Sequence, residues 1–198
     1  MKIMQYGKGR LFGTNGVRGV FGSELSLDII VDLSYSLATY YKYGPIIVGC
    51  DGRQSSPIIS HIVRSTINSA GMDVRDAGLV PTPCLQYAAK HLGYNGGIII
   101  TASHNPAEYN GIKPSASDGV EISREDEFKV EAIFNSKRFS KIDGCGLDFP
   151  DHRVINSYLN EVVKLIDIQT IRKRRFTVAL DIGNGVQATV APFLAERL

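Results

Sequence analysis

The sequence predicts an α/β protein: a three-layer α/β/α domain with a mixed, mostly parallel sheet, followed by the truncated start of a second, similar domain. Three observations predict it. Short β-rich runs alternate with stretches of helical periodicity. The helices are long enough to serve as crossovers between parallel strands. The alternation also resumes after a Gly/Pro-rich break, but with a single further strand, too little to bury two sheet faces.

Leu27, Ile30, Val31, Ser34, Leu37, Ala38 and Tyr41 recur at helical spacing behind Ser26, a capping residue. Pro45–Cys50 reads as a buried strand. The next helix is expected to take Ser56 as N-cap and Pro57 at its first position, to carry an Ile58/Ile59/Ile62/Val63/Ile67/Ala70 stripe, and to end at Gly71. A short strand is expected at Met72–Ala77, a helix from Thr82-Pro83 to Leu92, and a strand over Gly96–Thr101. Val120–Ile122 suggests an edge strand, and Ser123 caps a helix running to Asn135. Phe139–Pro150 reads as irregular, so residues 1–145 form one expected domain and 151–198 the beginning of another. In the latter, Ile155, Tyr158, Leu159, Val162 and Ile166 form a helical stripe, Phe176–Asp181 a strand, and Gln187–Leu198 a helix.

The chain has 198 residues, 43% hydrophobic and 21% charged, with a formal net charge of +2. So weak a field does not gather a polyanion, and an anionic ligand would need local cations. The basic run Arg172–Arg175 has no aromatic interleaving and reads as a solvated turn, so no nucleic-acid partner is expected. Cys50, Cys84 and Cys145 are scattered and odd in number, which argues against a disulfide framework or a structural zinc site. No apolar run approaches the ~20 residues of a membrane span, and the N-terminus lacks a signal-peptide pattern. The expectation is a cytoplasmic protein without a membrane partner.

The chemistry concentrates at Thr101-Ala102-Ser103-His104-Asn105-Pro106, where an apolar strand runs into a tight loop. In parallel sheets, ligands bind beyond the carboxyl ends of the strands, which is where Ser103 falls. A serine hydroxyl is a weak nucleophile and needs activation. His104 is its immediate neighbour, and neighbours on an extended chain point to opposite sides, so the pair does not read as a hydrolase triad. The G-x-S-x-G elbow is absent too. The cations Arg18, Arg53, His104 and Lys113 instead suit a phosphoryl group.

These residues belong to a longer pattern. Phe12–Gly19, Asp51-Gly52-Arg53, Thr101–Lys113 and Asp181–Gly185 occur in the order that closely resembles the α-D-phosphohexomutases, the group of phosphoglucomutase, phosphomannomutase and phosphoglucosamine mutase. The likeness covers essentially the whole chain but only about the first two-fifths of a typical member. It implies that Ser103 is phosphorylated and exchanges its phosphoryl group with a hexose phosphate through a bisphosphorylated sugar. Mg2+ would be held against Ser103 through its phosphate, and a hexose bisphosphate would act as activator. Arg18 and Lys113 would sit close to the transferring group, with His104 beside them. Asn105, Arg53, Thr14 and Asn110 would bind substrate or support the loop. Missing C-terminal domains of the same protein would be partners, and self-association is left open.

Two departures accompany the likeness. Asn15 stands where many relatives have aspartate, and no D-x-D-x-D cluster occurs. Glu125-Asp126-Glu127 falls at an expected helix start and suits the helix dipole better than a metal. The rival reading from another class is a non-catalytic phosphosugar-binding or interaction domain that keeps the fold. Nothing in the sequence discriminates glucose, mannose and glucosamine phosphates.

Overall fold

The computed structural model describes residues 10–13, 16–140 and 143–198. In chain order these form β1 (Val17–Val20), α1 (Leu27–Tyr41), β2 (Ile46–Cys50), α2 (Ser56–Ser69), β3 (Val74–Leu79), α3 (Thr82–His91), β4 (Gly96–Ile100), β5 (Tyr109–Ala116), α4 (Arg124–Ser136), β6 (Asp148–Pro150), α5 (Val154–Lys164), α6 (Ile168–Arg174), a single 3-10 turn (Val186–Thr189) and α7 (Ala191–Arg197). The strands make a six-stranded sheet in the order β1-β5-β4-β2-β3-β6. β4, β2, β3 and β6 run parallel, while β5 is antiparallel to both of its neighbours. The mixed α/β architecture is the one expected.

Local chemistry explains the elements. Ser26 accepts a hydrogen bond from the Ile29 amide to cap α1, and Ser123 does the same for Asp126 at α4. Glu125, Asp126 and Glu127 fill the first turn of α4, where the N-terminal dipole favours anions. β2 and β4 are buried along their whole length, as central strands covered on both faces must be. One core packs Ile30, Leu33, Leu37, Val48, Ile59, Val63 and Ile98 between the sheet and α1, α2 and α4. The other packs Ile47, Leu85, Ala88, Ile99, Val154 and Leu159 beneath α3 and α5. Gly96 opens β4 because the Tyr41 ring occupies the space of its absent side chain: a Cβ there would stand 2.3 Å from Tyr41 Cε1. That ring's hydroxyl donates to the carbonyls of Gly97 and Ser115, tying α1 to β4 and β5.

Several details differ from the sequence expectation. α2 begins at Ser56, whose hydroxyl donates to Asp51 at 2.5 Å instead of capping the helix, and Ser55 stands at the cap position. Val120–Ile122 makes only an isolated bridge, Ser115 to Glu121. The stretch expected to be irregular ends in strand: β6 pairs with β3, and Arg64 of α2 binds both Asp76 and Asp148 across that edge. The basic run is the last turn of α6, where cations meet the negative end of the dipole. Phe176–Asp181 forms no strand and pairs with none among the described residues. Phe176, Val178 and Leu180 are 68%, 70% and 56% exposed. The expected C-terminal helix breaks at Val190, with Pro192 at the start of α7.

Candidate functional site

The Ser103 loop is the connection between β4 and its antiparallel neighbour β5. It is closed at its base by the Thr101 amide donating to the Gly111 carbonyl at 3.0 Å. Gly111 has no room for a side chain: a Cβ would meet Arg18 Cγ and the carbonyls of Thr101 and Val17 at 2.8 Å. Ser103 has φ +55°, a left-handed conformation uncommon for a residue with a side chain. Both it and His104 are exposed.

That backbone turn revises the geometry expected of Ser103 and His104. The chain here is not extended, and Ser103 Oγ stands 3.3 Å from His104 Nδ1. The two side chains meet instead of diverging. Among the described residues no carboxylate is hydrogen-bonded to His104, so the pair still lacks the orienting third group of a hydrolase triad.

Parallel pairing of β2 with β4 brings Asp51 and Arg53 to the loop, the Asp51 amide donating to the Ile100 carbonyl at 2.9 Å. Arg53 donates to the carbonyls of Ser103 (2.9 Å), Asn105 (2.7 Å), Pro106 (2.6 Å) and Tyr109 (3.0 Å), and through Nε to Asp51 (3.2 Å). Asp51 also accepts from Thr101 Oγ1 at 2.7 Å, and Thr101 Oγ1 accepts from the Ser103 amide at 2.9 Å.

Arg18, on β1 opposite Gly111, donates to Asn105 Oδ1 at 3.1 Å and reaches the Ala102 carbonyl at 3.5 Å. Asn110 is buried below the loop, donating to Ser55 and Ser56 at the start of α2. Lys113 lies farther along β5, in an ion pair with Glu121 at 2.5 Å. Thus Ser103, His104, Asn105, Arg18 and Arg53 form one connected cluster, Asn110 underpins it, and Lys113 is paired with Glu121. Thr14 and Asn15 fall outside the described residues. Of the described residues before them, the Phe12 amide donates to Glu131 of α4 at 2.9 Å, and Arg10 pairs with Glu127.

A cleft of about 860 Å³ opens in front of the loop. Ser103, His104, Asn105 and Arg53 form one wall, Pro81–Pro83 at the start of α3 another, and Gly183–Gln187 faces them. Sequence reasoning placed Asp51 and Thr101 in motifs without giving them roles. The separation of Asp51 from Arg53 by one residue was the available signal, since a carboxylate so close to an arginine is its natural partner. Nearby thiols are inert: burial, then the carboxylates of Asp76 and Asp51, push Cys50 up to about 11, and burial pushes Cys84 up to about 12. Among the described residues no cluster of three or more histidines, cysteines, aspartates or glutamates could hold a metal. Asp51, joined to the serine through Thr101, is already engaged by four donors. The described residues therefore do not by themselves fit a magnesium ion. No helix among them is long and apolar enough to cross a membrane.

The layered fold and its serine loop have a clear counterpart among known proteins. Residues 9–141 match the family model described as phosphoglucomutase/phosphomannomutase, alpha/beta/alpha domain I, and the chain belongs to that family. Among its relatives, a phosphoglucosamine/phosphogalactosamine mutase of Sulfurisphaera tokodaii is 43% identical, the match covering 96% of this chain and 43% of that protein. A phosphoglucomutase/phosphomannomutase of Thermococcus kodakarensis is 35% identical, with 96% and 43% covered. The crystal structure of a phosphoglucomutase/phosphomannomutase family protein from Burkholderia thailandensis superposes with a TM-score of 0.77 at 27% identity, covering 96% of this chain and 42% of that one. The chain spans about two-fifths of the length of these relatives.

Proposed function

We propose that this chain supplies the active-serine portion of a cytoplasmic phosphosugar mutase. It interconverts hexose 1-phosphate and 6-phosphate through a phosphoserine and a bisphosphorylated sugar. The observation that carries the reading is the presentation of Ser103: an exposed hydroxyl on a left-handed residue, at the mouth of a cleft, in a loop whose carbonyls are tied back by Arg53. A hydroxyl of the hexose phosphate first forms a bond to the phosphorus of phosphorylated Ser103. As it does so, the bond from that phosphorus to Ser103 Oγ breaks and the serine oxygen takes up the hydroxyl proton. In the return step Ser103 Oγ forms a bond to the other phosphorus of the bisphosphorylated sugar while the bond from that phosphorus to the sugar oxygen breaks. The serine proton leaves toward His104 Nδ1, 3.3 Å away, and the departing sugar oxygen takes up a proton. Arg18, anchored on Asn105, places a fixed positive charge beside the loop, which favours the anionic phosphoryl group in flight. Because the group returned to Ser103 is the one the sugar carried at the start, the sugar leaves phosphorylated at its other position and the serine is phosphorylated again.

Residues 1–145 with the β6 edge are proposed as the serine domain, and 151–198 as the start of a second domain that turns Gly183–Gln187 toward it. The family resemblance implies Mg2+, which would neutralise phosphoryl oxygens when bound. We assign its carboxylates, and the contacts that choose the sugar, to polypeptide outside this sequence.

The test is a chimera in which this chain replaces the matching portion of the Sulfurisphaera tokodaii relative. After incubation with glucose 1,6-bisphosphate and magnesium, intact-mass analysis should find one phosphoryl group on Ser103. Ser103→Ala should remove that group and lower turnover by at least ~10³-fold. A folded Ser103→Ala chimera that keeps its turnover would overturn the proposal. The 198-residue chain alone should bind hexose phosphate without turning it over, and robust conversion would show that it carries its own complete site.

A further inference from the structure

We infer that Asp51, Arg53 and Thr101 form a brace that sets the conformation of Ser103. In this brace Arg53 is a positioning residue acting on loop carbonyls, not a ligand for a substrate phosphate. The inference rests on the phosphoryl-acceptor reading of Ser103 and deepens it.

Arg53 has no donor to spare. Nε is spent on Asp51, Nη1 on the Pro106 and Tyr109 carbonyls, and Nη2 on those of Ser103 and Asn105. Its side chain is only 14% exposed. A phosphate could engage it only by releasing part of the loop that presents the nucleophile. Asp51 is equally committed. Oδ1 accepts from the Arg53 amide and Ser56 Oγ, and Oδ2 from Arg53 Nε and Thr101 Oγ1.

The bond to Asp51 also fixes which way the buried Thr101 hydroxyl points. Its proton goes to the carboxylate, which leaves a lone pair for the Ser103 amide. Ser103 is therefore gripped at both ends, its amide by Thr101 and its carbonyl by Arg53. A left-handed conformation is unfavourable for an L-residue and persists only where the surroundings over-determine it. These three residues supply that over-determination. Every polar side-chain atom of the three is engaged.

Hydrogen exchange on the 198-residue chain tests the brace without requiring turnover. Arg53→Lys keeps the charge but cannot bridge several carbonyls at once. Thr101→Val keeps the shape and loses the hydroxyl. Both should speed exchange of the hydrogen-bonded loop amides of Ser103, Asn105 and Tyr109 by at least about tenfold, while β2 and β4 keep wild-type rates. Thr101→Ser should restore protection. In the chimera, each damaging variant should lower the limiting rate of Ser103 phosphorylation by about 100-fold, the cost of a nucleophile misplaced by about 1 Å. The half-saturating bisphosphate concentration should stay within about threefold of wild type.

Unchanged loop exchange in both variants overturns the brace. A raised half-saturating concentration with unchanged exchange would instead make Arg53 a phosphate ligand. If Arg53→Lys fails to fold, the near-isosteric Thr101→Val carries the test. A chimera whose Ser103 is never phosphorylated would remove the mutase reading, while the exchange rates would still decide the brace.

Discussion

β2 and the segment Phe176–Asp181 are built from similar material and meet different fates. Ile46–Cys50 lies between β3 and β4, hydrogen-bonded along both edges, with Ile46, Ile47 and Val48 fully buried. Phe176–Asp181 is likewise rich in β-branched and apolar residues, yet no strand lies beside it among the described residues and its large side chains are exposed. Intrinsic β preference is comparable in the two. What differs is the neighbour, because most of the stability of a strand resides in cross-strand pairs and in the face it buries. A β-rich pattern is thus a requirement for a partner, and the sheet of residues 17–150 meets it where the later segment does not.

The largest expected effect separates the two regions directly. Ile98→Ala in β4, where the side chain is fully buried, should cost about 3–4 kcal/mol in denaturant unfolding. A loss below about 1 kcal/mol would mean that the sheet is packed more loosely than its burial indicates.

The seam between the regions should show an intermediate effect. The buried Asp151 at the entry to α5 accepts from Arg153 Nε at 2.9 Å and Nη2 at 2.6 Å, and from the Tyr94 hydroxyl. Hydrogen bonds from Arg153, joined by the one from Tyr94 and opposed by burial, hold its carboxyl well below the usual carboxylate range. Asp151→Ala should cost about 2 kcal/mol at neutral pH. Because the folded-state pKa is depressed, this stabilisation is complete above about pH 4 and fades as pH falls below it. The gap between wild type and Asp151→Asn, measured by denaturant unfolding at neutral and acidic pH, should therefore narrow in acid. A gap that widened would reverse the assignment of the charged form.

The smallest effect belongs to the unpaired segment. Phe176→Ser, at a side chain 68% exposed, should change stability by less than about 0.5 kcal/mol. A loss near 2 kcal/mol would show that the segment is packed against something in solution, and the contrast with β2 would collapse.

Legibility in the sequence followed the range of the interactions. Ser26 and Ser123 act within one helical turn, and their capping roles were readable. The strand into Ser103 and the helix from Thr82 were readable for the same reason. Ser56 was misread because its partner, Asp51, belongs to the preceding loop. α6 was missed because a charged run without apolar periodicity looks like a turn until the helix dipole is considered. Arg53 stood out as a residue, but its four carbonyl partners lie fifty or more positions away. The meeting of Ser103 with His104 was hidden because nothing in those two letters announces a left-handed backbone.

The Ser103 loop joins two strands that are already partners, with Ile100 opposite Ile112 and the Thr101 amide on Gly111. Its ends are held together whether or not the loop adopts its active shape, so little chain entropy is lost in closing it. Its conformation is thereby nearly decoupled from the cooperativity of the fold. Substitutions from Ser103 to Glu108 can alter reactivity while leaving the melting transition almost unmoved, which makes the loop a place where chemistry can be tuned without endangering the protein that carries it.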